Sequence, residues 1–515
     1  MFPWLTTALV LPLVGAVVVA VLPKARLDAA KLVAIGFSLA TLVLVVVLAL
    51  RFDVADAGTY QFTEQVSWIP QLGVTYALGI DGIALSMVAL TAVLVPVCLL
   101  ASWRDLGPAA GGRVDAQFLG LVLVLEALVI GVFTARDLFL FYVLFEVMLL
   151  PMYFLIGRYG GPKRREAATT FLLYSLAGGL VMLVAVIGIY VGGPGGADGF
   201  LLDNLLALDA VPGSRWLFLG LFVALAVKAP LWPVHTWLPD AAAQAPPGAA
   251  VLLVGVLDKV GTFGMLTILL PMFPEAALWA APVIIVLALV SVIYGALVAL
   301  AQKDVLRLIA WTSISHFGFI VLGIFAMTTA GQSGAALYQV NHGFSTAALF
   351  LVAGMLVTRR GSSLIADFGG GQKVMPLLAG AFLLAGLSSL ALPGLSSFVS
   401  EFLVLVGTFE RYPWAAVVAT FGIILASLYV LWTYQRMMTG ATVPALADPS
   451  DARPRSRDMV PREAFVVAPL LAVIIGLGFY PKPVLDILTP AVERTMEQTG
   501  MTDPTPLFVA EGSDG

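Results

Sequence analysis

Six ionisable side chains fall inside long apolar stretches of this sequence: Glu126, Glu146, Lys228, Asp258, Lys259 and Glu401. A charged group at the centre of a membrane helix costs about 2.5–3.5 kcal/mol, so each needs a partner, water or a function. Depth sharpens the point. At 1.5 Å per residue Glu146 lies about 14 Å along its helix from Asp137, and Lys259 about 18 Å from Pro247. Lys228, thirteen residues past Arg215, is about 20 Å in. A lone lysine near a helix end snorkels to the interface. Two mid-depth lysines in consecutive apolar stretches, with a mid-depth glutamate before them, point instead to groups that bind and release protons. A structural Glu–Lys pair is the plain alternative. Glu126 is a weaker candidate, because one carboxylate can bond to a neighbouring helix and do nothing more. Asp258 is adjacent to Lys259, and residues one apart on a helix do not face the same way.

Three histidines extend the set. His316 lies in TSISH (312–316) and His342 in QVNHGFST (339–346), where hydroxyls and imidazoles can relay protons. His235 follows two prolines in VKAPLWPVHTWLPD (227–240) and is expected at the cytoplasmic mouth. Proline removes a backbone donor and clashes with the preceding turn, so Pro230, Pro233 and Pro239 should break the helix carrying Lys228. A second break is expected at LPGLSS (392–397), just before Glu401. Broken helices at corresponding places in two halves mark transport sites. No phosphate loop, nucleotide motif or nucleophile elbow accompanies them.

The elements that must hold these groups follow from composition. Of 515 residues 60% are hydrophobic and 11% charged, against roughly 25% charged in soluble domains. Mean hydropathy is +1.00. These values exclude a disordered chain, a disulfide scaffold and an ordinary soluble enzyme. One cysteine, Cys98, and three scattered histidines exclude a Cys/His metal site, and a net charge of −4 gives no case for nucleic acid. A span needs about 20 apolar residues. Fourteen segments qualify, at about 4–22, 31–50, 82–102, 116–134, 138–157, 168–191, 214–231, 248–270, 278–300, 305–326, 333–357, 375–408, 413–436 and 463–480. Runs this apolar must be helices, since lipid satisfies no backbone polar group. The first lacks a basic leader and a cleavage site and reads as a retained span.

Loops after odd-numbered spans hold nineteen of the 27 Lys and Arg residues; even-numbered loops and the tail hold six. The basic excess marks the cytoplasmic side, so both termini should face outward. Residues 51–81 alternate loosely and suggest an outer-face hairpin, residues 438–462 a cytoplasmic loop, and the tail beyond Pro483 a weakly apolar outer-surface segment. The reading is therefore an all-α polytopic membrane protein of about fourteen helices, with helices 7 and 12 broken and two inverted five-helix repeats. Residues 1–115 would form three leading helices, 116–275 and 276–437 the repeats, and 438–515 a loop, a last helix and a tail.

These residues resemble the antiporter-like membrane subunits of respiratory complex I (NADH-quinone oxidoreductase), and among them the M-type subunit. The resemblance rests on residues 141–158 (FYVLFEVMLLPMYFLIGR), 227–241 (VKAPLWPVHTWLPDA), 244–264 (QAPPGAAVLLVGVLDKVGTFG), 307–318 (RLIAWTSISHFG), 341–354 (NHGFSTAALFLVAG) and 392–403 (LPGLSSFVSEFL). A terminal glutamate at 401, where sister subunits carry lysine, distinguishes the M type. The resemblance implies that Glu146 pairs with Lys228, that Lys259 is the central lysine, that His316 and His342 relay, and that Glu401 is the exit-side carboxylate. Glu126 fits a secondary acidic position. Asp258 and Leu306 depart from the common pattern, the first leaving the charge balance at Lys259 open. The resemblance also implies no cofactor in this chain, with FMN, iron–sulfur clusters and quinone in partner subunits. It implies neighbouring antiporter-like subunits as partners in a bacterial inner membrane. The rivals are a subunit of a multi-subunit cation/proton antiporter, a scaffold with a dead channel, and, least of all, a stand-alone solute carrier.

Overall fold

The computed structural model describes residues 2–104, 106–107, 112–113, 115–196, 198–208, 213–443 and 458–505. Much of the expected 438–462 loop, together with Arg113, Arg453, Arg455 and Arg457 or their side chains, lies outside the described residues, as does the end of the tail.

Apolar runs bounded by capping and breaking residues become helices throughout. In chain order α1 is Trp4–Val21, α2 Leu27–Arg51, α3 Gly82–Ala101, α4 Ala116–Thr134, α5 Leu138–Tyr159 and α6 Arg164–Gly192. An interrupted α7 begins as Ser214–Lys228 and resumes as the short helix Leu238–Gln244. Then come α8 Pro247–Met272, α9 Pro274–Leu300, α10 Val305–Phe325 and α11 Thr329–Arg360. The second interrupted helix, α12, comprises Pro376–Ser389 and Ser396–Arg411. Next are α13 Pro413–Met438 and α14 Pro461–Phe479. Among the described residues, twelve helices are continuous, long and apolar enough to cross a membrane. The two interrupted ones are consistent with fourteen crossings.

Aspartates start several helices where four backbone N–H groups would otherwise go unpaired. Asp81 caps α3, Asp115 α4 and Asp304 α10. Asp137 caps α5 and also accepts from Thr75 N at 2.9 Å. That last bond ties α5 to a hairpin, β1 Gln61–Ile69 paired antiparallel with β2 Val74–Ile80. The hairpin expected at 51–81 is present. The tail, read only as weakly apolar, instead forms a helix, α15, over Lys482–Gln498. Its apolar face is short and interrupted by Pro490, so hydropathy alone gives it no signature.

Loop contacts sort into two ends. At one end Arg136 N donates to Ala77 O, Leu202 N to Arg136 O, Arg494 to Gly58 O, Arg411 to Thr502 O and Thr329 N to Asp503. These join loops after even-numbered helices and the tail. At the other end Gly161 N donates to Gln244 O, Arg307 pairs with Asp240, Gly370 N donates to Thr439 O and Arg462 caps the α3 carbonyls of Leu100 and Ala101. A buried Arg359–Glu463 pair at 2.6 Å clamps α11 to α14 there. Alternating helices require this separation.

Burial places the polar groups. The apolar windows of α8 and α10 are wholly buried, against 28% for α2. A helix apolar all round and buried all round sits at the centre of its bundle. The central helices α8, α10 and α11 carry the buried polar residues Asp258, Lys259, Thr262, His316, Gln339, Asn341 and His342.

Candidate functional site

Lys228 ends the first half of α7, and the break is chemically explicit. Pro230 has no N–H to give, and Leu231 N reaches back five residues to Ala226 O at 3.0 Å. Val227 O thereby loses its usual donor and accepts from the indole Nε1 of Trp237 at 3.0 Å. The indole stitches the broken ends together one residue from Lys228. The ammonium itself lies over the rings of Phe145 and Phe171, at 5.4 and 5.5 Å from their centroids, and no hydrogen-bond partner reaches it. Cation–π contacts of this kind are worth about 0.5–2 kcal/mol, less than a closed ion pair would give in a dry site.

Glu146 sits one residue from Phe145 on α5, which is irregular at Met148 and continues as Leu149–Tyr159. Pro151 withdraws the donor that Val147 O would use. The carboxylate lies directly against Gly179 of α6, where a side chain would collide with it. Its charge acts on Lys228, but the two make no direct ion pair; Lys228 feels Asp258 first and Glu146 second. The pairing that the resemblance implies is thus a through-space coupling in this conformation.

Lys259 is held quite differently. Two π-helical turns, Leu253–Leu257 and Met265–Leu269, flank it in α8. Such turns insert one residue per turn and recur at functional sites. Asp258 N bonds five residues back to Leu253 O, and Val254 O accepts from Lys259 Nζ at 3.0 Å. The same ammonium contacts His342 Nδ1 at 2.6 Å and covers the Phe317 ring at 4.5 Å. His342 Nε2 lies 3.1 Å from Thr346 Oγ1, and the His342 and His316 rings are 5.3 Å apart. His316 in turn bonds Tyr338 OH through Nδ1 at 2.7 Å and Ser389 Oγ through Nε2 at 3.0 Å. Tyr338 interacts with the charge of Glu401, as does Tyr429. Lys259, His342, His316 and Tyr338 therefore form one contiguous row, and Glu401, buried on the second half of α12, acts on Tyr338 through its charge.

Around the α12 break a hydroxyl cluster adjoins this row. Ser345 Oγ lies 2.6 Å from Ser388 Oγ and 3.3 Å from Ser397 Oγ. Asn341 Nδ2 donates to Ser396 O at 2.7 Å and to Ser400 Oγ at 3.3 Å.

Two expected members stand apart. His235 packs edge-on against Trp311 and Tyr294, with ring centroids 5.3 and 5.6 Å away, and no hydrogen bond links it to the row. Glu126 is buried on α4, its oxygens without hydrogen-bond partners. Sequence reasoning missed Tyr338 and Ser389, whose types carry no charge to attract notice. It named Asp258 without saying what it faces; the structure buries it fully, with both oxygens unpartnered and the charges of Lys259 and Lys228 nearby.

A polytopic bundle with two broken helices and a buried lysine–histidine row defines an antiporter-like membrane transporter. The transmembrane family NADH:quinone oxidoreductase/Mrp antiporter matches residues 135–426, and the chain belongs to it. It is 48% identical to the NADH-quinone oxidoreductase subunit M of Mycobacterium tuberculosis, over 98% of this chain and 96% of that one. Among solved structures it is similar to a chain of respiratory complex I from Thermus thermophilus with bound NADH. That match has 32% identity and a TM-score of 0.84, over 96% of this chain and 100% of that one. It also shares its fold with a chain of the Mrp complex of Dietzia, at 21% identity and a TM-score of 0.78, over 97% of this chain and 100% of that chain.

Proposed function

We propose that this chain is a proton-translocating membrane subunit of an NADH:quinone oxidoreductase. It moves protons through Glu146, Lys228, Lys259 and Glu401, with His316 and His342 as relays, while NADH oxidation and quinone reduction occur elsewhere in the complex. The single observation that carries this reading is the row from Lys259 Nζ through His342 and His316 to Tyr338, buried in helices that cross a membrane. Glu126 and His235 serve as peripheral proton-holding groups. FMN, iron–sulfur clusters and quinone reside in partner subunits, and flanking antiporter-like subunits are the direct neighbours. The chain resides in a bacterial inner membrane with both termini outward, as the basic loops support. Residues 116–275 and 276–437 act as inverted repeats: each interrupted helix is the fourth of five, and an odd number of crossings reverses the second set.

Electrostatics of the right size is available. Unit charges about 8 Å apart interact by roughly 2 kcal/mol at an effective dielectric near 20. Moving one charge against 100 mV costs about 2.3 kcal/mol. A shift of Glu146 toward or away from Lys228 changes the proton affinity of that lysine, and the change passes to Lys259 and Glu401. The rival reading, a subunit of a cation/proton antiporter, rests on a sequence family common to both groups and on shared fold, at a lower identity than the match to subunit M. The test is the proton-to-electron stoichiometry of the assembled complex carrying Glu146→Ala or Lys228→Ala. Loss of pumping is expected; normal stoichiometry in either variant overturns the reading.

A further inference from the structure

Two lysines hold the row, yet nothing so far connects them. They sit on different helices, and the Lys259 ammonium bonds only to Val254 O of its own helix and to His342 of α11, never to Lys228. The helix between them supplies the missing group. On α8, Gly255 lies against Gly343 of α11, Lys259 meets His342 and Thr262 donates to Gln339 at 3.0 Å, so that face belongs to α11. The face carrying Gly261 and Gly264 packs on α7: a side chain at Gly261 would fall 2.6 Å from Ala229 N, and one at Gly264 would meet Leu225. Asp258 is three residues before Gly261 on the α7 side and three after Gly255 on the α11 side, so it lies at the border between the two faces.

That carboxylate is fully buried, and neither oxygen has a hydrogen-bond partner. It interacts with Lys259 first and Lys228 second, and it is the first charge that Lys228 feels. A buried carboxylate kept for structure is normally satisfied by donors, because an unsatisfied one costs folding energy. This one has no donor, and the charges acting on it are those of the two lysines.

We propose that Asp258 is a relay residue through which a proton passes from Lys228 to Lys259. The transfer has two balanced steps. Neither Asp258 oxygen is within hydrogen-bond reach of either ammonium, so each step crosses bridging water: the Lys228 ammonium gives a proton through water to the Asp258 carboxylate, leaving a neutral amine and a carboxylic acid. The acid then gives that proton to the neutral amine of Lys259, restoring the carboxylate and forming the ammonium beside His342. Rearward flow is opposed because Lys259 hands its charge on to the imidazole row. The inference rests on the proton-translocating reading and adds the link between its two lysines.

The test uses the intact complex in proteoliposomes, with NADH and a short-chain quinone driving quenching of a pH-sensitive acridine dye. Rates are normalised to the amount of assembled complex, and NADH oxidation by an artificial acceptor serves as the control for the redox arm. Asp258→Asn and the smaller Asp258→Ser are expected to lower proton pumping at least about tenfold with the artificial-acceptor rate unchanged, and Asp258→Glu to restore it to within about threefold. Normal pumping in either neutral variant overturns the assignment. So does a loss in Asp258→Glu as deep as that of Asp258→Asn, which would mark a purely steric role. Failure of all three variants to assemble overturns it as well. Lys228→Ala in parallel keeps the two claims separable. Pumping lost there but intact in Asp258→Asn removes Asp258 and leaves the relay standing, whereas normal pumping in both removes the relay itself.

Discussion

Lys228 and Lys259 are chemically identical and buried alike, yet the protein treats them in opposite ways. Lys259 is fastened by a carbonyl at 3.0 Å and an imidazole at 2.6 Å, within helices that are buried on every side. Lys228 has no hydrogen-bond partner and rests between two phenylalanine rings at the frayed end of a broken helix. A hydrogen-bonded charge is held in place, whereas one held by rings and distant carboxylates answers to whatever moves nearby. On the proposed reading the contrast divides labour: the Lys228 end answers to the charges of Glu146 and Asp258, and the Lys259 end passes protons on through His342 and His316, whose side chains are in contact.

If that division holds, the deepest defect follows removal of the fastened lysine. Lys259→Met is expected to reduce NADH-driven pumping by about a hundredfold or more, since it deletes a proton carrier outright. Dye quenching in proteoliposomes reads this directly. His342→Ala should follow, at about tenfold, because a hydrogen bond to a charged group is worth about 1.5–3 kcal/mol and its loss leaves the ammonium with one carbonyl. Removing a ring beside the loose lysine should matter less. Phe171→Leu is expected to slow pumping about fivefold through its cation–π contribution, measured as the initial rate at fixed NADH. An effect equal to that of His342→Ala would erase the distinction between the two lysines. Ser389→Ala, which removes a neutral hydroxyl 3.0 Å from His316 Nε2, should cost about threefold or less, with Tyr338 keeping the ring oriented.

The sequence revealed some features more readily than others, for physical reasons. Membrane spans are legible because hydrocarbon tolerates only closed backbone, so apolar length alone locates them. Both breaks were legible in Pro230, Pro233 and Pro393, residues that cannot supply a helix hydrogen bond. Charged members of the row announced themselves by being expensive. What sequence could not give is direction. Which neighbouring helices Asp258 and Lys259 meet depends on the π-helical turn at Leu253–Leu257, which shifts the register of both by one residue and leaves no mark in composition. Tyr338 and Ser389 were hidden for a related reason: neutral hydroxyls occur throughout membrane helices, and only their distances to His316 set these two apart. The helix α15 escaped because its polar face dilutes its hydropathy over a short length.

One measurement bears on all of this at once: an experimental structure of the whole complex in a membrane mimic, sharp enough to place internal water. The account predicts an unbroken succession from Lys228 by way of Asp258, Lys259, His342, His316 and Tyr338 to Glu401, each step spanned by a contact or an ordered water at about 3 Å. An apolar, dry gap between the two lysines, or between His316 and Glu401, would contradict it.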